Sequence, residues 1–141
     1  MFVRRLSSSA SSVTDLLRAL EGIRTWAGPV QLFDAKAIVC RNQLLLAEKL
    51  AETAFKERKN ISTRMENEIL LWAAGTTKMD KAIKEVGVKD PSDFILFIPK
   101  KVSKKMEGKI LGLLKAKALP ARFKKEKEDF VLEKIALSRI I

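Results

Sequence analysis

Two glycines, Gly75 and Gly87, divide the stretch from Asn60 to Asp90 into two short helix-forming segments, and this division constrains the fold more than any other feature of the chain. Thr63 and Glu66 have the spacing of a capping box, in which a hydroxyl accepts from the third helical amide and a carboxylate reaches back to the cap amide. The apolar run Ile69-Leu70-Leu71-Trp72-Ala73-Ala74 follows, and Gly75 is placed to close the helix in the left-handed conformation. Thr77 with Asp80 offers a second cap and an acid for the next helix dipole, and Gly87 stops that helix. The result is a tight pair of helices joined through Gly-Thr-Thr.

The flanks extend the pattern. Phe2 to Leu6 reads as a strand, and Ser12 with Asp15 caps a short amphipathic helix from Val13 to Glu21 that Gly22 would end. Gly28-Pro29 breaks the chain before a candidate strand at Val30 to Phe33. The segment from Asp34 to Cys40 fits either a turn with a little helix or a continuation of the strand. Arg41 to Glu57 carries Leu44, Leu45, Ala47, Ala51, Ala54 and Phe55 as one broad apolar stripe and is a long helix. After the turn chemistry of Asp90-Pro91-Ser92-Asp93, five apolar residues from Phe94 to Ile98, closed by Pro99, form a buried strand. Ser103 caps a helix with Met106, Ile110, Leu111, Leu113 and Leu114 inside. Leu119 to Phe123 contains Pro120, which cannot donate to a ladder, so an edge strand or an extended segment is expected there.

A last helix runs from Glu126 to the end and has too much apolar surface for one buried stripe. Phe130, Val131, Leu132, Ile135, Ala136, Leu137, Ile140 and Ile141 occupy nearly its whole circumference, so the part that the core leaves uncovered calls for a second cover. Together these elements predict an α+β fold: one compact domain over residues 1–141, mostly helical, with a sheet of about four strands flanked by helices.

Composition narrows the function. The net charge of +11 favours polyanionic partners. The surplus is local: from Lys100 to Lys127 eleven basic side chains stand against Glu107 and Glu126. Lysine-rich, histidine-free composition also leans towards a thermophile, whose solvated faces are lysine-rich for other reasons. The single Cys40 excludes an intrachain disulfide and a cysteine zinc cluster, and no apolar run approaches the ~20 residues of a membrane helix.

With no His and no Tyr, the commonest general base, the usual triads and His-metal sites are excluded. Cys40 lacks a His partner, and the Walker spacing is missing because Gly108 and Gly112 fall inside a helix. The acidic pair Glu66 and Glu68 reads as caps and solvated ion partners. Zinc-finger, RNA-recognition and KH signatures are lacking, which leaves the basic surface with Trp26 and Trp72. Trp72 reads as a packing residue, or as an indole on which an unpaired base stacks beside lysines. No enzyme and no cofactor is expected.

The order of several segments resembles one family. Leu32-Phe33-Asp34-Ala35, the helix with Leu46-Ala47-Glu48-Lys49-Leu50-Ala51, Asn60-Ile61-Ser62-Thr63, Glu68-Ile69-Leu70-Leu71, Ala73-Ala74-Gly75, Lys78-Met79 with Ala82-Ile83, and Val86-Gly87-Val88-Lys89-Asp90 are similar to the kinase-binding subunit of KEOPS, as is the closing run from Val131 to Leu137. The resemblance implies a cytoplasmic, archaeal-type accessory subunit, without catalysis or a small-molecule substrate of its own, in synthesis of tRNA N6-threonylcarbamoyladenosine. It implies docking on a small atypical kinase or ATPase subunit and contact with tRNA through its 3′ CCA end. On that resemblance Leu132, Ile135, Ala136, Leu137 and Ile140 are the candidates for kinase contact. Arg64, Lys78 and Lys81 are those for the tRNA 3′ end, Trp72 is a tRNA candidate through base stacking, and Lys100, Lys101, Lys104 and Lys105 are those for the acceptor stem. Relatives often carry arginine where this chain has Trp72, and Gln-Ile in place of Lys78-Met79. A stand-alone basic RNA-binding module is the alternative, for which the lysines alone suffice.

Overall fold

A computed structural model describes residues 1–120, 123 and 128–139. They form the expected α+β arrangement, with six helices and a four-stranded antiparallel sheet, grouped in two compact units. The first unit contains residues 1–35 and 88–121, and the second residues 36–87 and 122–141.

In the first unit β1 (Phe2–Ser8), β2 (Gln31–Asp34), β3 (Phe94–Ile98) and β4 (Ala116–Leu119) are ordered β2-β3-β1-β4. Phe2 pairs with Ile98 and Leu6 with Phe94 in one ladder; Leu32 pairs with Leu96 in another. The period of two places Phe2, Leu6, Leu32, Phe94, Leu96 and Ile98 on one face. There they join Leu16, Leu20 and Ile23 of α1 (Val13–Ala27) and Ile110 and Leu114 of α5 (Lys104–Leu114) in a buried core. Phe33, Ile95 and Phe97 occupy the opposite face and are buried too, Phe33 and Phe97 meeting edge to face at 6.4 Å. Both serine caps form as expected: Ser12 Oγ accepts from Asp15 N and Ser103 Oγ from Met106 N.

The expectation that Gly22 ends α1 is overturned. The helix runs five residues further, to Ala27, because Ile23 and Ala27 continue the stripe of Leu16 and Leu20, and it stops at Gly28 with φ 79°. The edge strand β4 lies at Ala116–Leu119, ahead of the segment expected from Leu119 to Phe123, so the proline follows the strand; residues 121 and 122 of that segment lie outside the described residues.

The second unit is helical: α2 (Arg41–Lys56), α3 (Met65–Ala74), α4 (Met79–Val86) and α6 (Glu128–Leu137). The undecided residues ahead of α2 form a turn at Ala35–Ala37 and then irregular chain, without helix or strand. α3 is central, packed by α2, α4 and α6, and every residue from Glu68 to Ala74 is buried. Gly75 closes α3 at φ 66°, its amide donating to Leu71 and Trp72 carbonyls. A side chain there suffers the left-handed backbone, whereas its Cβ meets only the flexible stem of Lys134, at 3.2 Å. Gly75→Ala is therefore expected to cost about 1–2 kcal/mol, read as a lower urea midpoint at unchanged m-value.

Two predicted caps are corrected. Arg64, not Thr63, occupies the cap position of α3 and makes no side-chain cap bond, while Lys78, not Thr77, precedes α4. Glu66, the acid of the expected capping box, pairs with Arg64 at 2.6 Å, and Glu68 Oε1 takes the amides of Ile61 and Ser62 at 3.0 Å each, so a carboxylate inside the helix fixes the incoming chain. At the second helix Thr76 Oγ1 accepts from Lys78 N instead.

Candidate functional site

Glu66 and Glu68 are not solvated. Glu66 is 6% exposed and pairs with Arg64 Nε at 2.6 Å. Glu68 is fully buried, and a carboxylate there needs both hydrogen bonds and a counter-charge. Oε1 receives the two amides of the preceding loop; Oε2 receives Arg139 Nη1 at 2.6 Å. One side chain of α3 thus ties the α2–α3 loop to the chain just beyond α6. Arg139 also lies over the indole of Trp72, its Cζ 3.9 Å from the ring centroid. Trp72 Nε1 and Arg139 Nε and Nη2 are buried and have no hydrogen-bond partner among the described residues.

Trp72 and Arg139 line a cavity of about 320 Å³ with Leu50, Thr53, Ala54, Glu57 and Lys59. This volume is at the low end of the ~300–1,000 Å³ typical of small-ligand sites. Its chemistry combines an aromatic platform, apolar walls from Leu50 and Ala54, the Thr53 hydroxyl and two ion-paired cations, Arg139 on Glu68 and Lys59 3.7 Å from Glu57. Sequence reasoning singled out Trp72 but missed Arg139, Lys59 and the buried state of Glu68. The only local signal was the apolar run around Trp72, which marked α3 as an interior helix.

Of the other residues considered for RNA, Arg64, Lys78 and Lys81 are exposed in the second unit, Lys81 lying 3.9 Å from Glu85. Lys100, Lys101, Lys104 and Lys105 are exposed in the first. Lys109, not among the candidates, lies 4.3 Å from the ring centroid of the exposed Trp26.

α6 sorts its apolar residues by side. Ile135 is buried, and α6 packs on α2 and α3. Asn42 Nδ2 donates to Glu128 Oε1 at 2.7 Å and fastens the first turn. Leu132 is half-buried, Ala136 is exposed, and Leu137 and Phe130 are 51% and 73% exposed. Seven residues separate Phe130 from Leu137, which puts both on one face of the helix. Of the candidates for kinase contact, Ala136 and Leu137 therefore face outwards and Ile135 inwards, while Ile140 lies outside the described residues.

Cys40 is buried, and burial pushes its thiol above the usual range, so it is a neutral packing group at pH 7. Among the described residues no group of three or more His, Cys, Asp or Glu is placed to hold a metal ion, and no helix is long and apolar enough to cross a membrane.

A small antiparallel sheet with its own helical core, and a helical unit with an outward apolar face, define an α+β protein equipped for binding. Residues 11–135 match the family model of the kinase binding protein CGI-121, and the chain belongs to that family. This agrees with the KEOPS resemblance seen in the sequence. No curated protein matches the chain.

Proposed function

We propose that this protein is a non-catalytic accessory subunit of a KEOPS-type complex, which docks on a small kinase or ATPase through the outer face of α6 and helps hold tRNA by its 3′ CCA end. The observation that carries the reading is the exposure of Phe130 and Leu137 together on α6, in a chain of a kinase-binding family. Large side chains buried at the centre of an interface commonly carry 2 kcal/mol or more of its binding energy. Leu132, half-buried, lies with buried Ile135 on the other side of the helix, and Ile135 anchors it to the unit. Regulation of the kinase partner follows from occupation of its surface by a rigid helix.

The experiment is a pull-down with the full chain and with Leu137→Glu and Phe130→Glu. Recovery of a small kinase by the parent, weakened about 30-fold or more in either variant at unchanged helicity, is the expected result. Retention of the kinase by both variants overturns the docking face, and recovery of none by the parent overturns the kinase reading.

For RNA, the Trp72 cavity, lined also by Lys59, is the proposed seat of the unpaired 3′ end; Arg64, Lys78 and Lys81, exposed elsewhere on the same unit and not lining it, are proposed to meet neighbouring phosphates, with Lys100, Lys101, Lys104 and Lys105 serving the acceptor stem. Stacking on an indole contributes about 1–3 kcal/mol per base, so trimming CCA from tRNA is expected to weaken binding about tenfold at fixed salt. Phosphate contacts alone predict a steep salt dependence with no loss on trimming, and that outcome removes the 3′-end proposal.

A further inference from the structure

The joint between α6 and the Trp72 cavity contains more than packing requires. Glu68 has no exposed surface and its two oxygens do separate tasks, one holding Ile61 and Ser62 and the other holding Arg139. The guanidinium it holds covers the indole, where a flat aromatic ligand would stack. The closed arrangement also leaves three buried donors, Trp72 Nε1, Arg139 Nε and Arg139 Nη2, without hydrogen bonds among the described residues. Native interiors rarely tolerate such a concentration, since each orphaned donor forfeits its hydration without recompense. All three are donors, so the group that satisfies them carries acceptors: the ring nitrogens and carbonyls of a nucleobase, or phosphate oxygens.

We infer that the Glu68–Arg139 pair is a latch closed over the Trp72 cavity, and that an unpaired nucleobase enters by displacing the guanidinium from the indole. Arg139 is suited to move. It stands just beyond the end of α6, after the turn at Ser138, and its only described ties are the ion pair and the ring contact. It is also two residues from Leu137, so a partner that grips the outer face of α6 acts on the arm that carries the latch. Docking and RNA capture are then linked through one side chain. The identity of the entering base rests on the 3′-end reading of this cavity; the latch does not.

The two oxygens allow a selective test. In Glu68→Gln the amide oxygen still accepts from Ile61 and Ser62, while the group facing Arg139 loses its charge and its acceptor. The full chain with Trp26→Phe leaves Trp72 as the sole indole emitter. Acrylamide quenching of Trp72 is expected to be weak in this parent and severalfold stronger after Glu68→Gln and after Arg139→Ala, with far-UV circular dichroism unchanged. A single-stranded ribo-oligonucleotide ending in CCA is expected to quench Trp72 and to bind Glu68→Gln about fivefold more tightly than the parent, because the guanidinium no longer competes for the ring. Equal shielding of Trp72 in the parent and both folded variants overturns the latch. Strong exposure in the variants, with no oligonucleotide effect in any of them, supports the latch and overturns the base as its occupant.

Discussion

Replacing Glu68 by alanine is expected to destabilise the protein by about 3–5 kcal/mol, the largest effect of any polar substitution in the chain. The loss is a sum of orphaned partners, not the strength of one bond. Ile61 N and Ser62 N lose their acceptor, the loop between α2 and α3 loses its fixed path, and Arg139 is left with its charge unpaired against Trp72. Urea denaturation should show the midpoint falling at constant slope. Glu66→Ala is the comparison: its partner Arg64 is 47% exposed and can return to water, so a smaller loss than at Glu68 is expected. Equal effects of the two substitutions would refute the hub assigned to Glu68.

Phe94→Ala is expected to cost about 3–5 kcal/mol by a different route, loss of buried apolar area plus the cavity left behind. Phe94 is fully buried at the start of β3, opposite Leu6 across the ladder and within the core formed with α1 and α5. Sheet and helices meet at that layer, and neither can close the gap without shifting the other. The same truncation at Phe130, 73% exposed, should change stability by no more than about 0.5 kcal/mol while still weakening capture of the kinase partner. This pair of measurements separates a phenylalanine that builds the fold from one held at its surface.

The legible parts of the sequence are those whose physics is local. Five apolar residues between a turn and a proline gave the bounds of β3, and serines three residues ahead of a backbone amide gave the caps of α1 and α5. Gly75 was readable because a left-handed residue at a helix end has few alternatives. The misreadings arise where a distant partner outbids a near one. Thr63 and Glu66 have the right spacing for a capping box, but Glu66 pairs with Arg64 and the loop ahead of α3 is tied to Glu68, whose other oxygen is met by Arg139, 71 residues away. No window around residue 68 contains that information. Gly22 is the opposite case: the stripe Leu16, Leu20, Ile23, Ala27 was present in the sequence and outweighed a glycine whose added Cβ would meet nothing within 4 Å. The outward face of α6 was half legible, since the surplus of apolar residues was evident but the buried side was not assignable before Ile135 was seen packed inwards.

The register of β1 has a consequence for how the chain reaches this state. Phe2 pairs with Ile98, and Ser8 with Ala116, so the strand at the middle of the sheet is made long before its neighbours β3 and β4. At a synthesis rate of 5–20 residues per second, about 5–20 seconds pass between emergence of Phe2 and that of its partner. During that interval Phe2 and Leu6 have no sheet to enter, while α2, α3 and α4, adjacent in sequence, are already complete. The α2–α3–α4 part of the helical unit is thus positioned to form early from near-neighbour contacts, and closure of the sheet and docking of α6 on α2 and α3 are the late, slow events.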